Sequence, residues 1–389
     1  MQIIKNEITN ELKQRIIPFW NKLEDCENGG FYGGVDFDLN ILKKEAKGVI
    51  LNSRILWFYS KSYIALKDEV LLKKANHGYN FLINNCLDKV NGGVYWSLDY
   101  KGQPLDTLKH TYNQSFAIYA LSAYYEATKN EDALALAFDL YNLIESKCRD
   151  GDGYLESFTC DFKPGKNDKL SENGVIAERT MNTLLHVFEG YSGLYEVTKD
   201  ESVGKSMREI LSIFKDKIYN DDMRRQEVFF DIDYNSIIDL HSYGHDIESA
   251  WLIEWGCDLL EDAELSKEIK DITTKLVESV YKKAYTEKGF LNECEKGVDD
   301  RSRIWWVQAE AVLGFLNEWQ KHPEKIEYKE AAISIWKFIK EYVADKRDGG
   351  EWYWDLSDDL IPSSRKNIVE EWKCPYHNGR MCLQVMNKF

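Results

Sequence analysis

Apolar and polar residues along this 389-residue chain follow helical rather than strand spacing. In TYNQSFAIYALSAYYEAT (111–128) and LALAFDLYNLIESKC (134–148), apolar residues return every three or four positions, which is typical of amphipathic helices. The polar break TKNEDA between them indicates a loop, so the two segments form a helical hairpin. The same spacing predicts further helix pairs at roughly 51–66 and 69–86, 180–197 and 202–218, 246–261 and 264–284, and 303–320 and 327–344.

A glycine-rich turn with aromatic neighbours comes before the predicted helix pairs. The turns are NGGFYGGVD from Asn28, NGGVYWSLD from Asn91, GDGYLESF from Gly151, EKGFLNE from Glu287 and DGGEWYWD from Asp348. They recur at about sixty residues, apart from one double interval. At the centre of that interval, residues 219–234 are expected to form a turn and a strand pair without the glycines. The chain therefore contains six repeats.

The sixth hairpin requires both ends of the chain. A helix predicted at about 4–23 and a segment at about 376–386 are apolar and aromatic, unlike the polar outer face of a capping repeat. Pairing these two segments closes a ring. We therefore predict an all-α fold, an (α/α)6 barrel built as a toroid of six helical hairpins with short β-hairpin turns. Residues 1–389 are expected to form one catalytic domain, with the more apolar helix of each pair inside.

The charge of the chain argues against several kinds of partner. It has 66 acidic and 50 basic residues, a net charge of −16, without a basic stripe, so we expect binding neither to nucleic acid nor to a membrane. The amino terminus mixes charges among its apolar residues, unlike a signal peptide. The eight cysteines are scattered and form no paired motif. These features predict a cytoplasmic protein, monomeric or homodimeric, with reduced thiols.

The sequence indicates no cofactor. It contains no phosphate-binding glycine loop, no P-loop lysine and no dinucleotide fingerprint. Three histidines facing one cavity could coordinate a catalytic metal together with water. Because no HxH or HxxxH spacing is present, we predict no metal.

Residues capable of chemistry cluster in the first turns of the predicted inner helices. Since the inner helices of such a ring run parallel, their first turns open on the same mouth. The positive ends of the helix dipoles point there too, which favours a developing oxyanion. The residues are Asn52, Arg54, Tyr112, Asn113, Asn182, His186, His245, Glu248, Trp305, Trp306, Glu310, His377, Asn378 and Arg380.

Several of these residues also have a structural interpretation. His245 and Glu248 share one side of a helix, so Glu248 could orient the imidazole, hold a ligand beside it, or merely satisfy a histidine at a helix start. His186, with Glu189 three residues later, could equally be a satisfied core histidine. Arg54 precedes the apolar run ILWFY, so it is either a functional buried charge or the partner of an acid.

Aromatic residues at two positions indicate a sugar-binding surface. Trp305 and Trp306 are adjacent, so one is expected to line the cavity and stack on a sugar ring, while the other could be packing. In EWKCPYHNGR (371–380), Trp372, His377 and Arg380 combine an aromatic platform, a titratable base and an anion anchor. This combination favours a catalytic site.

Five segments carry a resemblance to a known family. They are NSRILWFYS, TMNTLLHVFE, SYGHDIESAWLIEW, RIWWVQAEAVLGF and WKCPYHNGRMC. Over essentially its whole length the chain resembles the cellobiose 2-epimerases of the N-acylglucosamine 2-epimerase superfamily. The resemblance implies an (α/α)6 barrel and cofactor-independent epimerisation at C2 of the reducing-end glucose of β-1,4-linked disaccharides. Cellobiose would become glucosylmannose, and lactose would become epilactose.

The resemblance also implies roles for individual residues. The acid/base pair falls on His245 and His377, with Arg54 and His186 as supporting polar groups. Imidazoles suit the work because a reference pKa of about 6.5 leaves both forms accessible near neutrality. The implied sugar contacts are Glu248, Trp305, Trp306, Glu310, Trp372 and, less specifically, Tyr112 and Asn182.

Other functions remain open from the sequence. A monosaccharide aldose–ketose isomerase or an N-acylglucosamine 2-epimerase would be the nearest. An (α/α)6 glycosidase would need two carboxylates beside the scissile bond, for which Glu248 and Glu310 could serve. A module that binds sugar or protein without catalysis would use the same pocket.

Overall fold

Twelve helices form two concentric layers in the computed structural model, which describes residues 1–170 and 173–389. The first helix consists of two α-helical parts, α1 and α2, joined by a π-helical turn at Leu12–Ile16. In chain order the α-helices are α1 (Gln2–Glu11), α2 (Ile17–Asn21), α3 (Val49–Leu66), α4 (Glu69–Phe81), α5 (Thr111–Thr128), α6 (Glu131–Leu143), α7 (Met181–Thr198), α8 (Glu201–Ile213), α9 (Tyr243–Leu260), α10 (Ala263–Lys283), α11 (Trp305–Lys321), α12 (Ile326–Phe338) and α13 (His377–Lys388).

The inner layer is a closed ring of six helices. In order around the ring, α3, α5, α7, α9, α11 and α13 each contact the next, and α13 contacts α3. The helix α1 packs on α13, so the two ends of the chain make the sixth hairpin. This confirms the predicted (α/α)6 barrel and its closure by the terminal segments.

Burial explains which helix of each pair lies inside. The first fourteen residues of α5, Thr111 to Tyr124, are all buried, so this helix is surrounded by protein on every side. The outer helix α8 buries only one face, which includes Val203, Met207 and Ile210, and leaves its charged residues outside. These are the patterns expected of a central and a peripheral helix.

Most outer helices end differently from the prediction. They finish in a π-helical turn, which apolar spacing alone does not distinguish from a final α-helical turn. The turns lie at Leu82–Cys86, Ile144–Cys148, Phe214–Ile218 and Ile339–Val343.

Short antiparallel strands tie each repeat to the next. The strand just before an inner helix pairs with a strand from the turn of the following repeat. The pairs are Lys47–Gly48 with Ser97–Leu98, Lys109–His110 with Ser157–Phe158, Arg179–Thr180 with Phe229–Phe230, Leu240–Ser242 with Glu293–Glu295, and Arg303–Ile304 with Asp355–Leu356. A bridge between Val35 and Val369 makes the corresponding link across the closure.

The remaining strands are local hairpin partners. The predicted turn without glycines in the fourth repeat is present, as a two-stranded hairpin of Tyr219–Asn220 and Arg225–Gln226. The others are Pro104–Asp106 with Ser97–Leu98, Tyr285–Thr286 with Gly289–Phe290, and Val298–Asp300 with Glu293–Glu295.

The fourth residue of four inner helices holds the turn of its own repeat. Asn52 accepts a hydrogen bond from the Phe31 N–H at 3.0 Å, so it serves the fold and not the mouth, where the sequence placed it. The other three bonds join Gln114 to Val94, Asp246 to Gln226 and Gln308 to Phe290.

A glycine is needed where such a helix residue approaches the turn. Gly93 has a φ of +72°, and a Cβ atom there would lie 2.7 Å from Oε1 of Gln114.

Two general expectations also concern the whole chain. The eight cysteines are all unpaired, as their spacing indicated. Within the described residues, no helix has both the length and the apolar character needed to cross a bilayer.

Candidate active site

The first turns of the inner helices enclose a cavity of about 360 Å³. Because the helices of the ring run parallel, residues that are far apart in the sequence meet there. Ten of the eleven predicted site residues line it, and Glu310 lies behind them. The ten are Arg54, Tyr112, Asn182, His186, His245, Glu248, Trp305, Trp306, Trp372 and His377.

His377 is the first residue of α13 and is 6% exposed. Its Nδ1 atom lies 2.7 Å from Oε1 of Glu310 and 3.7 Å from Oε1 of Glu248. The ring packs against Trp305 and Trp306, with centroid distances of 5.4 and 5.3 Å. Burial, and next the nearby positive charge of Arg380, hold the pKa of His377 well below its usual value. The imidazole is therefore neutral near pH 7.

His245 is held by a serine. Its Nδ1 atom lies 2.7 Å from the hydroxyl oxygen of Ser242, the residue just before α9. Burial lowers the pKa of His245 to about 3, with a smaller effect of the neighbouring His186. The possibility that Glu248 orients this imidazole is wrong, because Glu248 instead accepts a hydrogen bond from Arg380.

His186 has the carboxylate partner that its sequence spacing indicated. Its Nδ1 atom lies 2.8 Å from Oε2 of Glu189, one helical turn further along α7. The ring also packs against Tyr112 in a T-shaped contact and against Phe116 in a tilted one, at 5.0 and 4.8 Å between centroids. His186 therefore pairs with a carboxylate and also lines the cavity, so the structural and the functional interpretation of this residue are compatible.

One geometry is common to the three cavity histidines. Each has Nδ1 engaged by a protein group, and no hydrogen bond to Nε2 is present within residues 1–170 and 173–389. A partner on one ring nitrogen sets the orientation of the ring and the tautomer, which leaves the other nitrogen for a bound molecule.

The sequence suggested that Arg380 anchors an anionic group of a ligand. The structure instead pairs it with the protein's own carboxylates. Its guanidinium is fully buried and donates to three carboxylates, those of Glu189, Glu248 and Glu310. Burial, and next the charge of Glu310, raise the pKa of Glu248. Burial also raises the pKa of Glu310.

Arg54 places a buried positive charge in the wall of the cavity. It donates to the hydroxyl of Tyr112 at 2.8 Å and, more weakly, to the backbone oxygen of Trp372 at 3.5 Å. Its guanidinium faces the rings of Phe116 and Tyr376 at 4.1 and 4.8 Å. In the described part of the chain it makes no ion pair with an acid, so its charge remains available to a ligand.

Five cavity residues carry a polar atom with no hydrogen-bond partner among the residues described. The acceptors are Oδ1 of Asn182, Oε2 of Glu248 and Oδ1 of Asp355, and the donors are Nε of Arg54 and Nε1 of Trp305. Buried polar atoms normally find partners. Donors and acceptors beside four tryptophan rings suit a ligand rich in hydroxyl groups.

One cluster has the composition of a metal site, but we assign no metal to it. Glu248, Glu310 and His377 place one possible ligand atom each within 4.8 Å of one another. The Nη2 atom of Arg380 already lies 2.5 and 2.8 Å from the two carboxylates and supplies the positive charge between them. The three histidines do not form such a cluster within residues 1–170 and 173–389.

The sequence missed the residues that loops and short strands contribute to the mouth. They lie outside the helices, in segments where no periodicity marks a side chain as inward-facing. They include Lys169, Asn173, Asn292, Asp300, Ser302, Trp354, Asp355 and Lys366. Ser242 was missed too, although its place three residues before His245 was a signal for an imidazole partner.

Comparison with known proteins gives one consistent family. Residues 30–377 match the model of the N-acylglucosamine 2-epimerase (GlcNAc 2-epimerase) family. The chain is 50% identical to a cellobiose 2-epimerase of Eubacterium cellulosolvens and 48% identical to one of Ruminococcus albus, with 98% of each chain covered in both cases. The structure of cellobiose 2-epimerase from Bacillus thermoamylovorans superposes with a TM-score of 0.97 at 41% identity, covering 100% of both chains.

Proposed function

We propose, from the premise that this chain belongs to the N-acylglucosamine 2-epimerase family, that it epimerises the reducing-end glucose of β-1,4-linked disaccharides at C2. Cellobiose is converted to 4-O-β-glucosylmannose, and lactose to epilactose. The enzyme is a carbohydrate isomerase that works by proton transfer between histidine side chains and an open-chain sugar.

One observation carries this proposal. Trp306 packs against both His245 and His377, at 4.9 and 5.3 Å between ring centroids, so two imidazoles from different helices flank one aromatic surface. Both line the same cavity, and both have Nδ1 engaged by the protein. Inversion at a carbon needs one group to remove a proton from one face and a second to return a proton to the other face. Two separately held bases meet that need.

The reaction begins with opening of the pyranose ring. The anomeric hydroxyl loses its proton and the ring oxygen gains one, which gives an aldehyde at C1. The aldehyde acidifies the hydrogen on C2, and one imidazole removes it to leave an enediolate. After rotation of the intermediate, the other imidazole, which took up the proton of the anomeric hydroxyl during ring opening, delivers it to the opposite face of C2. As the ring closes, the first imidazole returns its proton to the anomeric oxygen. Only protons change place, so the product is an isomer of the substrate.

The enediolate requires a positive group close to its oxygen atoms. Arg54 fits this role because its guanidinium lines the cavity and pairs with no acid among the residues described. A buried charge that is already in position stabilises a developing oxyanion without reorganisation. His186, beside Tyr112 on the same side of the cavity, is a second candidate donor.

The sugar contacts divide into two groups. Glu248 and Asn182 have a free acceptor atom each for sugar hydroxyls, and Trp305, Trp306 and Trp372 supply aromatic faces. Tyr112 accepts a hydrogen bond from Arg54 and thereby positions that guanidinium.

Glu310 is proposed to act through His377 rather than on the sugar. Both of its oxygens are engaged, Oε1 by His377 and Arg380 and Oε2 by the indole N–H of Trp251. It is also fully buried. This arrangement disfavours a glycosidase, because Glu248 and Glu310 share one nitrogen of Arg380 and do not stand on opposite sides of a glycosidic bond.

NMR of cellobiose with the protein in D2O tests the proposal. We expect deuterium at C2 of the reducing sugar and the appearance of a mannose-type product. Absence of both would refute the function. Ketose formed from monosaccharides would favour an isomerase, N-acetylmannosamine formed from N-acetylglucosamine would favour the acylated substrate, and free glucose would reveal a glycosidase. Binding of cellobiose without exchange would indicate a non-catalytic module.

The roles of the two histidines are tested separately. His245→Ala and His377→Ala should each abolish exchange at C2 while the fold survives, as judged by circular dichroism. Retained turnover in either variant would contradict the assignment of that histidine.

A further inference from the structure

One buried guanidinium joins four of the six inner helices. Arg380, in the first turn of α13, donates through Nη1 to Glu189 of α7 at 2.5 Å and to the hydroxyl of Tyr376. Through Nη2 it donates to Glu248 of α9 at 2.5 Å and to Glu310 of α11 at 2.8 Å. A forked guanidinium can hold several carboxylates at once in fixed directions, which a lysine cannot do. The four helices therefore meet at a single cation.

Two of these three carboxylates also hold an imidazole. Glu189 uses its other oxygen for Nδ1 of His186, at 2.8 Å. Glu310 uses the same oxygen for Arg380 and for Nδ1 of His377, at 2.7 Å. An unbroken chain of hydrogen bonds thus runs from one histidine to the other through the guanidinium. All its members are buried, so their electrostatic effects on one another are little screened.

The charges of the hydrogen-bonded groups around Arg380 do not balance. One guanidinium faces three carboxyl groups, and burial raises the pKa of both Glu248 and Glu310. Against the effect of burial, the charge of Arg380 lowers the pKa of Glu189. Arg380 therefore interacts unequally with the three carboxyl groups. A change at one of them alters how strongly the guanidinium binds the other two.

We propose that Arg380 is a positioning residue that links the hydrogen bond between Glu189 and His186 to the hydrogen bond between Glu310 and His377. The inference rests on the epimerase function proposed above. When His377 gains a proton, Glu310 is drawn towards its Nδ1–H and binds Arg380 less strongly. The guanidinium then interacts more strongly with Glu189, which weakens the hydrogen bond between Glu189 and Nδ1 of His186. The strength with which each of the two carboxylates holds its imidazole therefore depends on the other.

Other charged or titratable groups act on His377 without passing through Arg380. Positive charge on an arginine or a histidine among them makes protonation of His377 less favourable, and an ionised carboxylate makes it more favourable. A test must separate their direct effects from the coupling. From the neighbouring helices they are Arg54 of α3, His186 of α7, His245 and Glu248 of α9 and Glu310 of α11, with Tyr376 preceding His377.

The test changes a carboxylate that does not touch His377. In Glu189→Gln, Arg380 binds Glu310 more strongly, so Glu310 holds the Nδ1–H of His377 less strongly. We expect the NMR signal of that proton to move, and the apparent pKa of kcat for cellobiose to fall by about half a unit, a threefold change in proton binding. The matched control is Glu196→Gln on the same helix, where the carboxylate pairs with Lys61 and neither signal should move.

A second variant distinguishes coupling through Arg380 from a direct electrostatic effect of Glu189 on His377. Arg380→Lys keeps one positive charge but loses the fork, so in its background Glu189→Gln should move the His377 signal less than half as far. An equal shift in both backgrounds would overturn the proposal, as would a shift confined to His186 in the Glu189→Gln single variant. If Arg380→Lys does not fold, the comparison of Glu189→Gln with Glu196→Gln decides. The NMR signal needs no turnover, so a failure to epimerise cellobiose would refute only the proposed function.

Discussion

The Glu310 carboxylate lies 2.7 Å from Nδ1 of His377, and its other oxygen accepts the indole N–H of Trp251 at 2.9 Å. The indole can only donate, so it fixes which end of the side chain faces each neighbour. Glu310 therefore presents an acceptor to His377, which keeps the proton on Nδ1 and the basic lone pair on Nε2.

Glu310→Gln should disrupt this control of the tautomer. The amide has one acceptor oxygen for three donors, which are the Trp251 indole, Arg380 and the Nδ1–H of His377. Where the amide N–H faces Nδ1, the ring proton lies on Nε2, and the imidazole has no lone pair on its cavity side with which to act as a base. We expect kcat for epimerisation to fall by roughly 10³-fold or more, as when the carboxylate partner of a catalytic histidine is made an amide.

Glu318→Gln is the matched control for this prediction. Glu318 is a buried acid two turns further along α11, where it pairs with Lys321 at 2.6 Å and does not line the cavity. The kcat of Glu318→Gln should stay within about twofold of the wild-type value, since Glu318 lies outside the catalytic network. A Glu310→Gln enzyme that is as active as Glu318→Gln would show that Glu310 does not set the tautomer of His377.

His245 should remain neutral in mildly acidic solution. Burial lowers its pKa to about 3, so on lowering the pH it takes a proton only well below the ordinary histidine range. NMR of the enzyme with labelled histidine, assigned with His245→Ala, should show the neutral ring at pH 5. His245 would then cause no loss of kcat/KM between about pH 5 and pH 7. A midpoint near 6.5 for this ring would contradict the prediction.

Glu156 should make the stability of the barrel depend on pH. Burial raises its pKa to about 7, although the Thr180 N–H and the Thr183 hydroxyl donate to it. The folded state therefore favours the protonated form of Glu156. The stabilisation of the fold that this provides is complete below the unfolded pKa of about 4.5, and it is lost as the pH rises through 7. Relative to wild type, Glu156→Gln should gain about 3 kcal/mol between pH 4.5 and pH 8.

The check on Glu156 is urea unfolding of both proteins at the two pH values. Glu196→Gln, a partly exposed acid on the neighbouring helix α7, serves as the control and should show no such gain. An equal difference between wild type and Glu156→Gln at both pH values would mean that the acid is ionised throughout.

Two glycines inside helices should respond oppositely to alanine. A Cβ atom at Gly190 of α7 would lie 2.6 Å from the backbone oxygen of Ser115 in α5, which cannot move aside alone. At Gly78 of α4 the nearest atom would be 3.5 Å away, an ordinary contact. Gly190→Ala should cost roughly 1–3 kcal/mol by overpacking, and Gly78→Ala should gain roughly 0.4–1 kcal/mol. Thermal unfolding of the two variants measures both, and equal effects would contradict the close approach of α5 and α7.

Much of the fold was predictable because its signals are local. Apolar spacing located the helices closely, as with 180–197 predicted and Met181–Thr198 observed. The recurring turns indicated six repeats even where the glycines are absent, at 219–234. The π-helical ends of the outer helices were not predictable, since they follow the same spacing.

The candidate site was predictable in its members but not in their pairing. Parallel inner helices bring the first turns together, so the sequence alone placed His186, His245 and His377 at one cavity. Asn52, from an equivalent first turn, instead holds the backbone of a glycine turn. Position along a helix indicates the end at which a residue lies, whereas the rotation of the helix decides which way its side chain faces.

The sequence by itself determined the closed ring of hairpins, its inner and outer helices and the residues at its mouth, because periodicity and repeat length are properties of the chain. Only the tertiary structure decided that Glu248 binds Arg380 rather than His245, and that Glu310 stands behind His377. These contacts join residues 132 and 67 positions apart, on different hairpins. The packing angle and rotation of neighbouring helices decide such pairs, and no spacing within one helix records them.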